Sequence, residues 1–358
     1  MKIKTKILKE MINKSIKGAG MNKMLPLTGY LGIELKDNLL TLITTDGNNY
    51  LRVLNKVEVD GVNDNFYTVV KVDIFSKLIN KTTKEYIELI NTDNFLNLKG
   101  NGIYKLEIPI SEDGNIIKYP NHIDKFTNIE AKKINIKLLQ KLLDSAKNSI
   151  AIPLVNPCLT GYYIGNKIIT TDTQKICYIN QNIIDTDLLI SSDLASLINL
   201  LDEQEANIYI IDNNIMIETN NIIITSKELE GKDVFPMEPI NLLVNTTYEN
   251  RIKLNKNELL DILDRMSLFA VEEYKKSISF EINNNEVKII SQESKAEEII
   301  TILDSTNIIN FKFLINIDML KDQLLSIVSD KVDLYYGSDS SIKLVEDNMI
   351  LITALENS

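Results

Sequence analysis

The chain has 358 residues, 44% of them hydrophobic, and its 39 lysines and arginines face 50 acids for a formal charge of -11. At roughly 100 to 150 residues per domain this length calls for two or three cores. The acidic balance excludes a protein that coats nucleic acid over its whole surface, because each phosphate contact needs a cation opposite it, but it leaves room for one local basic surface. No stretch is apolar for the roughly 20 residues that a membrane-spanning helix requires, and a cytoplasmic protein is expected.

In chain order the sequence keeps returning to one unit, a short amphipathic helix followed by strands that Asn, Asp and Gly turns separate. The first helix is expected from Lys6 to Lys17, with Ile7, Leu8, Met11, Ile12 and Ile16 on one face. Strands are expected at Gly29 to Leu35, Leu39 to Thr44 and Tyr50 to Val59. A second helix is expected to begin at Asp73 as N-cap and to bury Ile74, Phe75, Leu78 and Ile79. Further strands are expected near Ile87 to Ile90, Phe95 to Lys99 and Ile103 to Ile108.

A third helix, Ile136 to Lys147, carries the apolar stripe Leu138, Leu139, Leu142, Leu143 and Ala146, and a fourth runs from Asp193 to Leu201. The run Ile168-Ile169-Thr170-Thr171-Asp172 echoes Leu42-Ile43-Thr44-Thr45-Asp46. Helices at Glu258 to Phe269 and Asp318 to Val328, with strands around and between them, complete the pattern. Six copies pair into three similar domains, 1–124, 125–245 and 246–358. The expected fold class is α+β, with two helices per domain packed on antiparallel sheets.

Lysines collect on particular helix faces. Lys6, Lys9 and Lys17 lie opposite the first apolar stripe, Lys77 and Lys81 on the second helix, and Lys137, Lys141 and Lys147 on the third. One such face is ordinarily just solvated; three equivalent ones in an acidic chain fit phosphate contacts that position DNA without reading its sequence. The later helices are less basic, offering mainly Arg265 and Lys321 among Glu258, Asp261, Asp264 and Asp322.

Catalytic groups are not evident. There is no glycine-rich phosphate loop, no nucleophile turn and no paired histidine ligands; His122 is the sole histidine and lies in a turn. Cys158 and Cys177 sit in strand-like stretches and read as reduced core residues. Asp46 and Asp172 recur at equivalent places, which fits turn chemistry better than metal binding. Neither an enzyme, a metal site nor a cofactor is expected.

The segment Thr225-Ser226-Lys227-Glu228-Leu229-Glu230-Gly231, followed by Phe235-Pro236, is joined by Leu25-Pro26-Leu27-Thr28-Gly29, Tyr119-Pro120-Asn121, Thr171-Asp172 and Ala296-Glu297-Glu298-Ile299. In this order they resemble the β sliding clamp family of bacterial DNA polymerase III over essentially the whole chain. Glu228 stands where the family prefers an apolar residue, and the run before Phe235 is about two residues longer.

The resemblance implies a head-to-tail homodimeric ring around sequence-independent duplex DNA, working with a replicative DNA polymerase and a clamp loader. It implies DNA-facing Lys6, Lys9, Lys17, Lys23, Lys77, Lys81, Lys137, Lys141, Lys147, Arg265 and Lys321. It implies a dimer interface joining Tyr104 and Leu106 to Leu268 and Phe269. It also implies a groove for partner peptides of glutamine-leucine-x-leucine-phenylalanine character, lined by Leu159, Thr171, Thr173, Lys175, Ile176, Ile342, Ile352 and Ala354. Thr173-Gln174-Lys175 and Ile352-Thr353-Ala354 depart from the family's usual residues there. The alternative is a clamp-fold adaptor that binds replication proteins without encircling DNA.

Overall fold

A computed structural model describes residues 1–20, 24–57, 65–92, 94–152, 156–270, 276–283, 285–338 and 340–356. In chain order the elements open with β1 (Lys2–Lys4), α1 (Thr5–Ser15), β2 (Tyr30–Lys36), β3 (Leu39–Thr45), β4 (Tyr50–Lys56), β5 (Phe66–Lys71) and α2 (Val72–Lys81). There follow β6 (Tyr86–Asn91), β7 (Phe95–Lys99), β8 (Ile103–Glu107), β9 (Lys132–Asn135) and α3 (Ile136–Ala146). Next come β10 (Gly161–Ile164), β11 (Ile168–Thr171), β12 (Lys175–Ile179), β13 (Leu188–Ser191), α4 (Ser192–Ile198), β14 (Glu205–Ile211), β15 (Asn214–Glu218), β16 (Ile222–Lys227) and α5 (Met237–Asn245). The chain continues through β17 (Asn250–Asn255), α6 (Lys256–Ser267), β18 (Ser277–Ile282), β19 (Glu286–Ser291), β20 (Glu297–Thr301) and β21 (Asp304–Thr306). It closes with β22 (Phe311–Asn316), α7 (Ile317–Ser326), β23 (Lys331–Tyr336), β24 (Ser341–Glu346) and β25 (Met349–Ala354).

The chain forms two compact units, Met1–Lys137 with Asp193–Glu228 and Leu138–Ser192 with Leu229–Ser358. The first holds a four-stranded sheet, β1-β6-β7-β8, and an eight-stranded one, β5-β2-β3-β4-β16-β15-β14-β9. The second holds β20-β19-β18-β22 and the nine-stranded β13-β10-β11-β12-β25-β24-β23-β17-β21. All pairings are antiparallel. Strands far apart in sequence meet at two joints. In the first unit Tyr50 to Val53 of β4 pair with Thr225 to Ile222 of β16, and in the second Lys175 to Ile179 of β12 pair with Thr353 to Met349 of β25.

Period-3.6 apolar stripes bury each helix against these sheets. In the first unit α1 packs on α2, β3 and β4, and Leu8, Ile12, Phe75, Ile79, Leu40, Leu42 and Leu51 are fully buried. In the second, α6 packs on α7, β17 and β23, and α7 on β12, β22 and β25. Each such side chain contributes about 1.5–3 kcal/mol by burial.

The structure adds a regularity that the alternation pattern did not reveal. A strand runs without a loop into each of six helices, at β1–α1, β5–α2, β9–α3, β13–α4, β17–α6 and β22–α7. The last strand residue stays extended while its carbonyl begins the helix, as Lys4, Lys71, Asn255 and Asn316 do. Asp73 is therefore not the N-cap of α2; Lys71 is, and Asp73 sits in the first turn, where its charge suits the helix dipole. Ile74, expected in the core, is exposed and Leu78 only half-buried, because Ile74 is turned about 100° around α2 from Phe75 and about 140° from Ile79. The seventh helix, α5, lies in a stretch read as a polar boundary. Its Ile240 and Val244, four apart, are buried, and Pro236 and Pro239 fall at or before its first turn, where a missing N–H costs nothing.

Candidate functional site

The lysine-bearing faces differ once side chains are placed. Lys6, Lys17, Lys81 and Lys141 are exposed and pair with no acid among the described residues. Lys77 lies 3.9 Å from Asp73 and Lys147 lies 2.6 Å from Asp144, both exposed pairs of little net strength. Lys9 donates from Nζ to the Thr82 carbonyl at 2.8 Å and Lys137 to the Leu201 carbonyl at 3.0 Å. Each caps the end of the following helix segment with a cation, and Lys256 does the same for α7 through the Ile327 carbonyl at 2.9 Å.

Lys23 lies outside the described residues. Arg265 is held by Glu298 through two hydrogen bonds of 2.9 and 2.6 Å, and Lys321 is bonded to Asp264. These two cations of α6 and α7 are thus already neutralised within their own unit. Glu298 raises the Arg265 pKa, and Arg265 holds the Glu298 carboxyl below its ordinary range.

In the second unit, the residues of the expected peptide groove divide into a turn and a core cluster. Thr171 donates to the Lys175 carbonyl at 2.7 Å, and Asp172 accepts from the backbone N–H groups of Gln174 and Lys175 at 2.9 and 2.6 Å. Thr45, Asp46, Asn48 and Asn49 reproduce these bonds in the first unit. Both aspartates are therefore spent on closing a tight turn. Thr173 is exposed at a positive φ of 80°, and the Gln174 carbonyl accepts from the Ala354 N–H at 2.8 Å, fastening the turn to the end of β25.

Lys175 is buried, with its ammonium 2.5 Å from Asp322 and 3.5 Å from Asp172. Leu159, Ile176 and Ile352 share one buried apolar cluster with Cys158, Tyr163 and Phe235, and Ile240 and Val244 of α5 close it. Ile342 is fully buried on β24, opposite Thr353. Gln323 of α7, also fully buried, donates to the carbonyls of Ile176 and Ile352 at 3.3 and 3.0 Å and accepts from the Ser149 hydroxyl at 3.2 Å. Sequence reasoning did not find Gln323, Ile240 or Val244, and it read Asp322 only as an acid among the later helices, not as the partner of Lys175. The Lys175–Asp322 pair joins positions 147 apart, which no local pattern encodes.

Cys158 and Cys177 are free and buried. Burial pushes up both thiols. His122 packs against Tyr50 with ring centroids 4.5 Å apart and planes tilted by 58°. Among the described residues no group of three or more His, Cys, Asp or Glu could hold a metal ion, and no helix is long and apolar enough to cross a membrane.

Among the described residues β8 pairs only with β7 and β20 only with β19, so each is an open edge of its four-stranded sheet, the other edges being β1 and β22. Beside β8 a cavity of about 460 Å³ is lined by Tyr30, Ile74, Lys105, Leu106 and Pro109 among others. Tyr104 is half-buried and Leu106 buried. At the end of α6, Leu268 is 80% exposed and Phe269 43%.

Compared with known proteins, the chain is 21% identical over 352 residues to the beta sliding clamp of Staphylococcus epidermidis, spanning 91% of this chain and 90% of that protein. It is 28% identical over 310 residues to the beta sliding clamp of Mycoplasma genitalium, spanning 79% and 78%. The crystal structure of the Bacillus subtilis DNA polymerase sliding clamp superposes with a TM-score of 0.87 at 16% identity, over 100% of this chain and 98% of that one. The chain thus resembles the bacterial beta sliding clamps in sequence and shares their fold. The DNA polymerase III beta chain of Streptococcus pneumoniae gives the same TM-score at 18% identity, over 100% and 99%. No protein-family model matches the chain.

Proposed function

We propose that this clamp chain is a processivity factor, two copies of which close head to tail into a ring around duplex DNA and hold a replicative polymerase there. The observation that carries the reading is the repeated strand joint. β4 with β16 and β12 with β25 each join sheet halves from different repeats, and β8 and β20 are left as equivalent open edges. A β8 edge meeting the β20 edge of a second copy makes a third joint of the same kind. Leu268 and Phe269 of that copy supply apolar groups for the cavity beside Leu106. Such a heterologous contact closes only if its rotation fits, and two copies satisfy it.

In this reading the chain has three domains, 1–124, 125–245 and 246–358, and the helices line the hole. The exposed lysines of α1, α2 and α3 meet phosphates, giving contacts weak enough to slide while the closed ring prevents sideways escape. A clamp loader opens and seats the ring. Partner peptides insert an apolar anchor at Leu159, Ile176 and Ile352, where a few buried contacts carry most of the binding energy. The protein works by topology, without catalysis of its own. A second reading, an adaptor that does not encircle DNA, draws on the neutralised Arg265 and Lys321 and the acids of α6 and α7.

Sedimentation at micromolar concentration tests closure. A dimer is expected, with Phe269→Asp shifting it to monomer while the fold persists by circular dichroism. A chain that stays monomeric favours the adaptor.

A further inference from the structure

The face of the eight-stranded sheet that carries Arg52 holds a cavity that the proposed function does not use. Tyr119-Pro120-Asn121 crosses this face as a strap. Tyr119 donates its hydroxyl to the Tyr30 carbonyl at 2.7 Å, and its own N–H donates to the Tyr67 hydroxyl at 3.0 Å. Between strap and sheet lies a cavity of about 450 Å³, with Arg52, Tyr67, Glu34, Lys36, Lys118 and Asn121 in its walls.

Arg52 sits on β4, opposite Ile43 of β3 and Ile223 of β16, and is 6% exposed. Its Nη2 donates to the Pro120 carbonyl at 3.2 Å, and its Nη1 is buried with no hydrogen-bond partner. The chain has three arginines. Arg251 is bonded to Asp304 and Asp333, and Arg265 to Glu298. Arg52, the most buried of the three, has no carboxylate within ion-pair distance among the described residues.

A buried guanidinium normally takes a planar carboxylate through two parallel hydrogen bonds, and leaving a donor unmatched costs stability. Burial lowers the pKa of Arg52, offset in part by Glu34 across the cavity. Glu34 is half-buried, and the exposed Lys36 and Lys118 outnumber it in the cavity walls.

The second unit shows that the fold does not need a cation here. The matching turns Thr45-Asp46 and Thr171-Asp172 put Tyr178 at the place of Arg52, and Ile350, its partner across the joint, at the place of Ile223. That site is aromatic and aliphatic, next to the apolar cluster.

We propose that the Arg52 cavity is a second recognition site, which takes a carboxylate from an acidic residue of a partner peptide. The carboxylate engages the guanidinium, with Lys36 and Lys118 at the entrance and the strap moving outward to expose Nη1. The two units then offer different chemistry at equivalent places, an apolar anchor in the second and an acidic anchor in the first. This site is independent of ring closure.

The test is a titration of the whole chain, carrying isotope-labelled arginine, with acetyl-glutamate-methylamide. The neutral glutamine analogue and inorganic phosphate serve as separate arms. A saturable shift of the Arg52 Nε–H signal is expected with the carboxylate, with Arg251 and Arg265 unmoved and no response to the glutamine analogue. Lys118→Gln, on an exposed side chain, should keep the fold and weaken binding about threefold. No saturable shift by tens of millimolar, or a shift with phosphate alone, overturns the proposal, as does equal binding by Lys118→Gln and Lys36→Gln together.

Discussion

Replacing Gln323 by leucine isolates the polar clasp beneath the β12–β25 joint. The side chain is fully buried and makes three hydrogen bonds, two to the carbonyls of Ile176 and Ile352 and one from Ser149. Leucine keeps nearly the same volume, so little cavity opens and the loss comes from the bonds. At about 0.5–1.5 kcal/mol net for each bond, the variant should lose about 1.5 to 4.5 kcal/mol from the second unit. Urea denaturation with probes in each unit measures it, and the first unit should be unchanged. Ser149→Ala removes one of the three bonds, so its effect and that of Gln323→Leu should be less than additive. A loss below about 0.5 kcal/mol, the scatter of ordinary surface substitutions, would refute the claim that this clasp holds the joint.

Other outcomes follow from the same side chains. Lys6→Glu with Lys141→Glu should lower the salt dependence of DNA binding, by about 0.9 in logarithmic slope for each phosphate no longer neutralised. Arg265→Gln should change it little, because its charge is already held by Glu298. Burial raises the Glu346 pKa, but donation from the Val328 and Ser329 N–H groups outweighs this and leaves the carboxyl below its ordinary range. Its stabilising contribution is therefore complete above the unfolded value near ~4.3 and lost as pH falls through the lower folded value. Acid denaturation of Glu346→Gln should show a shallower decline in that window. Ile176→Asp places a charge in the apolar cluster and should abolish binding of a glutamine-leucine-x-leucine-phenylalanine peptide, measured by fluorescence anisotropy. Unchanged affinity would remove the groove assignment.

Much of the fold was legible because helix and strand periods differ, and the stripes of α1, α3, α6 and α7 mark their buried faces without any tertiary information. The Thr-Thr-Asp echo was legible for a similar reason, since its hydrogen bonds close within four residues. The strands that feed the helices were harder to see, because β1 and β9 are three or four residues long and mostly polar. Helix α5 was hidden by its two prolines and by having only two buried positions. Of the site, lysine placement could be read from helical spacing. Which lysines are neutralised could not, since Asp264, Glu298 and Asp322 are brought to Lys321, Arg265 and Lys175 only by tertiary folding.

The most direct test of encirclement compares retention of the loaded protein on nicked circular DNA with retention after the same circle is cut to a linear form. A compatible loader is supplied, and salt is high enough to screen ordinary phosphate contacts. Retention on the circle and loss on linearisation is the expected result. Equal loss from both forms, with loading verified, would contradict a ring that slides on DNA.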